Sequence, residues 1–434
     1  MLEQAPKTEK STDELIPLMV ELELNGTLIP IINDYLFWDK VKYRVSTCSP
    51  EDLWASVKLF RRLRYSQISF GKYSFAFMIT DSMQRLLHEF DLHIGGNLGS
   101  NIGIAESDKT KFIVSSIMEE AISSSQIEGA VTTRKKAKEM ILQEKKPRNK
   151  SEQMILNNFE TMKHIVQHKQ ERLTPKGILE IHKLISAGTL DNPGDVGNFR
   201  ENNDIHVIDH AKSEIVHTPP PHNELSQIID ELCTFFNSDN KSHFIHPIIK
   251  GCVIHFMIGW LHPFADGNGR TARALFYWYM LRAGYWLTEF LSISRIIQDS
   301  KIQYEKAFLY TETDNNDLGY FVHYHLKTMD KAYAALKEYI NRKQREVSQA
   351  ASFMKIPGVN DRMAQILKIV YDDGDRVLTT KEIENRFNVS NFTARMDLKT
   401  LVTMGYLETI QVTKQKKNFI KSPEFDKLVA KVKK

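Results

Sequence analysis

The chain has 434 residues, of which 42 % are apolar and 26 % charged, the usage of an ordinary soluble globular protein, so a disordered or collagen-like chain is excluded. At about 150 residues per domain, this length predicts two to three domains. The 58 Lys and Arg against 54 Asp and Glu leave a net charge of +4, too near balance for a chain that coats nucleic acid or an anionic membrane over its whole surface.

The cysteines favour a reducing compartment, and the N-terminus and the apolar stretches predict neither a secretory signal nor a membrane span. Cys48, Cys233 and Cys252 are an odd number without CxxC spacing, which predicts neither a disulfide framework nor a zinc site. The N-terminal residues lack the apolar core of a secretory signal. The apolar stretches 252–261 and 274–287 each contain a charged or titratable residue and fall short of the roughly 20 residues of a membrane span. We expect a cytoplasmic protein.

Apolar residues recur at spacings of three and four over most of the chain, which predicts a mainly α core. The predicted helical stretches are 51–90, 112–125, 137–142, 157–165, 178–185, 225–236, 246–260, 268–282 and 332–352. One interruption, 194–221, contains two β-prone runs at 205–208 and 214–216 with a polar turn at 209–213 between them, which predicts a β-hairpin.

The last 75 or so residues have a different pattern, which resembles a winged helix-turn-helix. The predicted order is a helix at 361–371, a strand at 376–378, a helix from Thr380, a helix at 391–404 and a hairpin at 406–421. Ser390 or Asn391 is the expected N-cap of the second helix of the helix-turn-helix. Residues 413–434 hold eight lysines against two acids, which suits phosphate contacts beside a wing.

Residues 262–273, HPFADGNGRTAR, combine side chains suited to phosphate chemistry. The glycines that flank Asn268 let backbone N–H groups converge on an anion, and the helix that follows points its N-terminus at the same place. Arg270 and Arg273 share a face of that helix and can together hold two phosphates. Asp266 is an oxygen ligand suited to Mg²⁺, and His262 can take a proton from a hydroxyl.

Each part of this motif also has an ordinary structural interpretation: a structural histidine, a plain turn and a solvated helix face. Residues 267–272 fit the G-x-G-x-x-A dinucleotide fingerprint, with Glu289 downstream, but that fold needs a strand before the turn and repeated βα units. A zinc site lacks an HExxH pair or a cysteine ligand; its histidines would be His243, His246, His255 and His262.

The twelve residues match the signature HPFx[D/E]GNGRxxR, and residues 50–330 resemble the Fic (filamentation induced by cAMP) family. The resemblance implies a helical bundle with a β-hairpin flap, and the transfer of AMP from ATP, with Mg²⁺, to a Ser, Thr or Tyr hydroxyl of a target protein or of the chain itself. It implies His262 as general base, Asp266 as Mg²⁺ ligand and Phe264 as the anchor of the loop. The implied nucleotide-binding residues are Gly267, Asn268, Gly269, Arg270, Thr271, Arg273 and Tyr304.

A second Fic feature lies upstream, where residues 124–129, SSQIEG, match the inhibitory pattern [S/T]xxxE[G/N]. Its position resembles the class with an N-terminal inhibitory helix. Ser124 and Glu128 are one helical turn apart, and Gly129 is a helix-stopping residue, so the carboxylate can reach an arginine of the site. If that arginine is Arg273, it cannot receive the γ-phosphate, and the resemblance therefore implies autoinhibition. Alone, Glu128 would be a surface residue at a helix end.

The resemblance also assigns the flap. Ile205, His206 and Val207 would form the strand that pairs with the main chain of the target. Tyr304 is either a contact of the base or an ordinary core tyrosine. Proteins of this class often form homodimers.

We expect four segments and two competing functions. The segments are an N-terminal helical region on the core (1–110), a Fic catalytic domain with its inhibitory helix near 115–129 (111–330), a linker helix (331–356) and a small α+β winged-helix domain (357–434). One hypothesis is an autoinhibited adenylyltransferase. The other is a DNA-binding regulator with a nucleotide-sensing Fic domain. Within the enzyme hypothesis, removal of AMP and transfer of another phosphate-containing group remain alternatives. The winged helix suits either DNA or a protein partner.

Overall fold

A computed structural model describes residues 3–7, 10–44, 46–95, 106–209, 213–238, 244–285, 288, 291–350, 353–412 and 417–432. The turn residues 210–212, His243, Glu289 and the lysines at 413–416 and 433–434 therefore lie outside the described residues. The chain divides into two compact units: Met1–Ile102, Glu119–Val131 and Asn149–Ala332 form the first, and Gly103–Met118, Thr132–Arg148 and Tyr333–Lys434 form the second.

The described elements are mostly helices. The helices are α1 (Thr12–Leu24), α2 (Leu28–Asn33), α3 (Trp38–Val41), α4 (Pro50–Arg62), α5 (Asp81–His93), α6 (Glu106–Ile127), α7 (Arg134–Leu142), α8 (Lys150–His168), α9 (Pro175–Ser186), α10 (Leu225–Asn237), α11 (Pro247–Leu261), α12 (Asn268–Arg282), α13 (Ile293–Asp299), α14 (Lys301–Thr313), α15 (Gly319–Ala350), α16 (Asp361–Asp372), α17 (Thr380–Phe387), α18 (Asn391–Thr403) and α19 (Phe425–Val432). The strands are β1 (Ser66–Phe70), β2 (Tyr73–Phe77), β3 (Val207–Asp209), β4 (Glu214–His217), β5 (Leu378–Thr379), β6 (Leu407–Gln411) and β7 (Lys417–Lys421).

Two helices at the centre of the first unit, α11 and α12, are buried along almost their whole length. Helix α11 is apolar around nearly its full circumference, as expected of a helix with neighbours on every side, whereas α12 buries Arg270 and Arg273 in its first turns. Pro247 opens α11, and Gly267, at φ +83°, precedes the first residue of α12. The two helices pack against each other, and α8 and α9 pack on α12. The short connection between α11 and α12 is therefore held at both ends by the core.

The helical prediction over 51–90 is wrong in its middle, where the chain forms the antiparallel hairpin β1–β2. The two strands are joined by Gly71 and Lys72, and Gly71 has φ +57°, which a two-residue hairpin turn requires at its first position. Burial alternates along both strands, so Phe70, Phe75 and Phe77 enter the core. The apolar spacing of the flanking helices α4 and α5 hid this short alternation.

The second predicted hairpin exists with a shifted first strand. It pairs β3 with β4, and β3 begins at Val207, so Ile205 and His206 precede the strand instead of forming it. A bulge lies between Val207 and Ile208. Arg200 explains the shift, because its guanidinium donates to the Asn202 carbonyl at 2.8 Å and holds the preceding residues in a turn.

The second unit contains the predicted winged helix. Strands β5, β7 and β6 form an antiparallel sheet in that order beside α16, α17 and α18. Ser390 is the N-cap of α18 and accepts from the Thr393 N–H at 3.2 Å, as expected. The sequence missed α19, whose Phe425 and Val429 complete the core of this unit. The predicted linker helix is the end of α15, which begins at Gly319. The fold class is confirmed: mainly α, with a small α+β winged helix at the C-terminus.

Candidate active site

His262 ends α11 in an unusual backbone conformation. Its φ of 46° and ψ of 58° lie in the left-handed region, which is uncommon for a residue with a side chain and is often found at functional sites. The Nδ1 of its ring lies 2.8 Å from the carbonyl oxygen of Gly259. Because a carbonyl only accepts, Nδ1 carries the proton, and Nε2 is the nitrogen that can accept one.

The surroundings of His262 favour its neutral form. Burial lowers the pKa of His262 below its usual value, while the hydrogen bond to the Gly259 carbonyl opposes this shift. The charges of His217 and Arg200 also lower this pKa, and the carboxylate of Glu128 raises it. The net effect is a histidine that is unprotonated near neutral pH and able to act as a base.

The turn after His262 is fixed by the side chain of Asn268. Its Nδ2 donates to the Phe264 carbonyl at 2.8 Å, and its Oδ1 accepts from the Phe264 N–H at 3.0 Å. Phe264 is fully buried and anchors the loop. The side chain of Asn268 is therefore a staple of the turn, and only its backbone N–H can face a ligand.

A residue that the sequence did not single out, His182 of α9, supports the same turn. Its Nε2 donates to the Asp266 carbonyl at 2.9 Å, and its Nδ1 accepts from the Gly197 N–H at 3.1 Å. The His182 ring stacks on Phe264 with a centroid distance of 3.7 Å. Burial lowers the pKa of His182, which suits this neutral tautomer. No local motif marks His182, because its partners are distant in sequence.

The side chain of Thr271 does not face the space in which a ligand of the turn would bind. It is fully buried, and its hydroxyl donates to the Gly267 carbonyl at 2.9 Å. The side chain stabilises the first turn of α12, and nucleotide binding by Thr271 stays a prediction. Its bond keeps Gly267 in the left-handed conformation in which the α12 N-terminus opens toward the anion site.

Asp266 is the acid of the turn, and 57 % of its side chain is accessible. Its Oδ1 accepts from the Gly267 N–H at 2.5 Å, and its Oδ2 lies 3.8 Å from Nη2 of Arg270. In the described part of the chain, no group of three or more His, Cys, Asp or Glu side chains could hold a metal ion. One exposed carboxylate fits Mg²⁺, because this ion usually takes one or two carboxylates together with substrate phosphates and waters.

Arg270 and Arg273 are both almost completely buried, at 1 % and 2 % exposure. Arg270 donates from Nη1 to the Ile185 carbonyl at 3.2 Å. Among the described residues, Nε of Arg270 and Nη1 of Arg273 are buried without a hydrogen-bond partner. Buried guanidinium nitrogens without partners are costly, and oxyanions such as phosphates are the ligands that satisfy them.

Arg273 is held by the end of α6. Its Nε donates to the Ser124 hydroxyl at 2.8 Å, and its Nη2 donates to the Ser124 carbonyl at 3.0 Å and to Oε1 of Glu128 at 2.9 Å. A side chain at Gly269 would overlap the same Oε1 and lie 3.2 Å from Nη1 of Arg273. The carboxylate of Glu128 therefore occupies the space beside the backbone at the N-terminus of α12.

The end of α6 has the geometry that its sequence predicts. Gly129, at φ +91°, donates to the Gln126 carbonyl at 3.1 Å, and Ala130 donates to the Ser125 carbonyl at 3.0 Å. This pair of bonds is a Schellman cap, which makes Glu128 the C-cap residue. Burial acts to raise the pKa of Glu128, but the charge and hydrogen bond of Arg273 outweigh it, so the pKa is lowered. Glu128 is therefore ionised at neutral pH.

A buried acid further along α6, Glu120, anchors this helix. It accepts from the Tyr277 hydroxyl at 2.8 Å, from the Ser294 N–H at 3.0 Å, and from the hydroxyls of Ser292 and Ser294. Burial raises the pKa of Glu120, against the effect of these bonds. No local sequence pattern marks this anchor, because its partners lie on α12 and at the start of α13.

Tyr304 lies in an aromatic cluster next to the site. Its hydroxyl is 2.9 Å from Nε2 of His255, and its ring contacts Phe308, Phe321 and Tyr324. Burial raises the pKa of Tyr304, and the charge of Arg273 opposes this shift. Tyr304 is therefore a core residue that also lies near Arg273.

The flap is joined to the catalytic turn from two sides. Val207 pairs with His217 in the hairpin, and His217 bonds to the carbonyl of Trp260 in α11. Arg200 donates from Nε to the His262 carbonyl at 2.9 Å, and its backbone N–H donates to the Pro263 carbonyl at 2.9 Å. Of the predicted flap residues, Ile205 and His206 are half-buried ahead of the strand.

The other interpretations of the motif do not fit this geometry. The glycine turn follows a helix and not a strand, which excludes the dinucleotide-binding fold. Of the histidines considered for zinc that the structure describes, His246 is bound to Asp91 and His255 to Tyr304, so these two do not converge. A search of the described helices finds none with the length and apolarity of a membrane span.

A buried helix ending in a histidine, followed by a stapled Gly-Asn-Gly turn and two buried arginines, is the arrangement of a Fic domain. Residues 172–280 match the Fic/DOC family, and residues 362–410 match the DeoR-like helix-turn-helix domain. The chain therefore contains a Fic domain and, toward its C-terminus, a DeoR-like helix-turn-helix domain.

Curated relatives share part of the chain. The protein adenylyltransferase Fic of Aedes aegypti is 34 % identical over 134 residues, which are 30 % of this chain and 25 % of that protein. The protein of the same name from Drosophila virilis is 34 % identical over 133 residues, again 30 % and 25 %. The chain thus spans about a quarter of the length of these relatives.

Solved structures that match this chain include two Fic proteins. A Fic family protein from Desulfovibrio desulfuricans G20 is 18 % identical, with a TM-score of 0.49 over 78 % of this chain and 94 % of that one. Fic-1 (residues 134–508) from C. elegans is 17 % identical, with a TM-score of 0.49 over 76 % of this chain and 88 % of that one.

Proposed function

We propose that this chain is a protein adenylyltransferase that moves AMP from ATP to a Ser, Thr or Tyr hydroxyl of a target protein or of itself, and that Glu128 inhibits it. The observation that carries this proposal is the Glu128 carboxylate between Gly269 and Arg273. An anion already occupies the place that the turn and the arginines offer to phosphates. The names of the relatives support adenylyl transfer as the reaction.

The residues of the turn have distinct roles in this reaction. His262 would accept the proton of the target hydroxyl at Nε2, since Nδ1 is bonded to Gly259. The hydroxyl oxygen then bonds to the α-phosphorus of ATP, and the bond to the pyrophosphate oxygen breaks. The N–H groups at the start of α12, with Nε of Arg270 and Nη1 of Arg273, would bind the phosphates.

Asp266 would hold Mg²⁺ together with the phosphates of ATP, and the ion would neutralise charge on the leaving pyrophosphate. Its carboxylate is exposed and already oriented by the Gly267 N–H, so no rearrangement of the turn is needed. Arg273 would bind the γ-phosphate once it is released from Glu128. While the ion pair persists, the phosphates cannot reach an in-line geometry at the α-phosphorus.

The direct test incubates full-length wild type, Glu128→Gly and His262→Ala with Mg²⁺ and α-labelled ATP, with and without a lysate as a source of targets. We expect strong label with Glu128→Gly, little with wild type and none when His262→Ala is added to Glu128→Gly. Glu160→Gly, at an exposed acid of α8, is the control and should behave as wild type. Equal labelling of wild type and Glu128→Gly would exclude inhibition by Glu128.

The same gels distinguish the other reactions of this site. Absence of label from every variant, with ATP still bound, would replace AMP transfer by another transferred group, by removal of AMP from modified proteins or by nucleotide sensing. Label from γ-labelled ATP would identify phosphate transfer, and loss of AMP from a pre-labelled target would identify removal.

We propose a second function, DNA binding, for the C-terminal domain. The exposed face of α18 carries Asn391, Phe392, Arg395, Met396 and Lys399, so two cations and an amide face outward. The acid of this helix, Asp397, is buried and paired with Arg362 at 2.8 Å. The exposed face is therefore free of acidic charge, which suits insertion into a DNA groove.

DNA binding is tested by fluorescence polarisation of the full chain with mixed-sequence 30-base-pair duplexes over a range of salt concentrations. Arg395→Ala with Lys399→Ala should weaken binding and reduce the salt slope by about 1–2. Lys427→Ala, at an exposed lysine of α19 paired with Glu424, is the control. Equal binding by all three proteins, or no binding by wild type, would favour a protein partner for this domain.

The cysteines support a reducing, cytoplasmic location, because Cys48, Cys233 and Cys252 are all free thiols. Burial raises the pKa of Cys233 to about 12 and also raises the pKa of Cys252. Neither buried thiol is therefore reactive at neutral pH. The division at 110, 330 and 356 and the formation of a homodimer stay predictions.

A further inference from the structure

The last residue of the flap strand β4, His217, lies between two hydrogen-bond acceptors. Its Nε2 is 2.6 Å from the carbonyl oxygen of Trp260, and its Nδ1 is 2.6 Å from Oε2 of Glu312. The imidazole is almost completely buried, with 8 % of its side chain exposed, and Glu312 is exposed by 21 %. The ring therefore joins three elements: the flap strand β4, the catalytic helix α11 and α14.

The partners decide the charge of this ring. A backbone carbonyl cannot donate, so Nε2 must carry a proton. An ionised carboxylate cannot donate either, so Nδ1 must carry a proton as well. Both bonds form together only when each ring nitrogen of His217 carries a proton.

We propose that His217 is a positioning residue: clamped between Glu312 and the Trp260 carbonyl, it ties the flap to the end of α11 and orients the backbone that carries His262. This inference rests on the proposed transfer reaction, in which His262 is the base. Trp260 is two residues before His262, so the bond from His217 acts on the backbone that carries the base.

The effect on His262 is electrostatic as well as geometric. The groups that act on the His262 ring are its own burial, the Gly259 carbonyl, His217, Glu128 and Arg200. The cation of His217 acts in the same direction as burial and Arg200, and it lowers the pKa of His262. Removal of this cation should therefore protonate His262 at higher pH and reduce the fraction of active base.

Two variants separate charge from geometry. Glu312→Gln keeps the shape of the partner, but its amide can donate to Nδ1, so the ring becomes neutral while Nε2 still bonds to Trp260. His217→Gln removes the imidazole and leaves the Glu312 carboxylate without that partner. The pKa of His262 should rise in both, with the larger rise in His217→Gln. His246→Gln is the control, because His246 pairs with another carboxylate, that of Asp91.

The first readout does not depend on any reaction. Two-dimensional ¹H–¹⁵N spectra of the histidine rings in the full chain, with the resonances assigned by the variants, follow each ring through pH 5–9. We expect the pKa of His262 to be higher in His217→Gln than in wild type, because His217 is one of the groups that lower it. An unchanged titration of His262 would overturn the proposal.

The second readout is the pH profile of AMP transfer in the Glu128→Gly background. The acidic limb should move to higher pH in His217→Gln and, by less, in Glu312→Gln, with the rate of both restored at pH 8.5–9. A loss of rate that is equal at every pH would mean a structural role only and would contradict the electrostatic effect. If no variant transfers AMP, the proposed function fails, and the ring titrations alone decide whether His217 controls His262.

Discussion

The carboxylate of Glu128 and the guanidinium of Arg273 are joined at 2.9 Å across 145 positions of sequence, and this ion pair fills the side of the α12 N-terminus that Gly269 leaves open. Glu128 is fixed by a Schellman cap and Arg273 by Ser124, so both partners are held before they meet. The pair connects the end of α6 to the start of α12, and under the proposed function its strength governs access to the turn.

The ion pair predicts a pH-dependent contribution to stability. The pKa of Glu128 is lowered on folding, so its contribution is present above the unfolded value near 4.5 and is lost as pH falls through the folded value. Glu128→Gln should lower the free energy of unfolding by about 1–2 kcal/mol at pH 7. Urea unfolding at pH 7 and at pH 3.5 measures this, with Glu160→Gln as the control. A difference that persists unchanged at pH 3.5 would contradict the assigned role of the charge.

Gly269→Ala should exclude both the Glu128 carboxylate and the phosphates of ATP from the start of α12. The added methyl group would overlap Oε1 of Glu128 and crowd Nη1 of Arg273, where a phosphate oxygen is expected. We therefore expect Gly269→Ala to remove AMP transfer even in the Glu128→Gly background and to weaken ATP binding at least tenfold by calorimetry. Gly177→Ala in α9, where the nearest atom would be 3.5 Å away, is the matched control. Retained transfer in Gly269→Ala would place the phosphates elsewhere.

Glu120→Leu should loosen the inhibitory helix without touching the ion pair. The change leaves the Ser294 N–H and the Tyr277 hydroxyl without their acceptor, which costs about 2–4 kcal/mol. Because α6 then leaves the site more often, basal AMP transfer should rise together with the loss of stability. A fall in transfer at full occupancy of ATP would contradict this coupling.

Glu120→Gln keeps a hydrogen-bond acceptor at this position and removes the ionisable group. The pKa of Glu120 is raised on folding, so the folded chain keeps a proton that the unfolded chain has lost, and stability falls as pH rises above about 4.5. Glu120→Gln should remove this part of the pH dependence and keep transfer near the wild-type level. Thermal unfolding from pH 4 to pH 8 measures the difference, and equal slopes in the two proteins would argue against a buried ionisable anchor.

A buried network outside the site predicts the largest loss of stability. Asp317 accepts from the hydroxyls of Tyr35 and Tyr65 at 2.7 and 2.6 Å, and it lies 3.8 Å from the fully buried guanidinium of Arg61. Asp317→Ala should cost about 3–5 kcal/mol, because it leaves a buried cation and two hydroxyls unpaired. Lys10→Ala, at an exposed ion pair, should cost below about 1 kcal/mol by the same urea titration. Similar losses for the two variants would contradict the burial argument.

The sequence predicts the parts of this site that local chemistry dictates. Gly267 and Gly129 mark the start of α12 and the end of α6, since glycine is the residue that adopts the left-handed conformation of these turns most readily. By contrast, His182, Glu120 and His217 carry no local signal, because each acts on a partner that folding brings close. Asp397 shows the opposite error: the sequence places an acid on the recognition helix, and tertiary packing buries it against Arg362.

The hairpin β1–β2 could have been predicted. The Gly71–Lys72 pair between two alternating runs is a turn signal, but the three-and-four spacing on either side suggested one continuous helical region. The start of β3 at Val207 could not, because the alternation of apolar residues already begins at Ile205, and the side-chain bond from Arg200 to the Asn202 carbonyl ahead of the strand has no pattern of its own.

The staple formed by Asn268 and Phe264 keeps the catalytic turn assembled while Glu128 is in place. If Glu128 inhibits as proposed, the inactive protein is a population and not a differently folded state, and its residual activity measures how often the carboxylate leaves Arg273. An ion pair worth about 1–2 kcal/mol would leave roughly one molecule in five to thirty open at any moment. A cell could raise that fraction gradually by any ligand that prefers the open form, without building the active site anew.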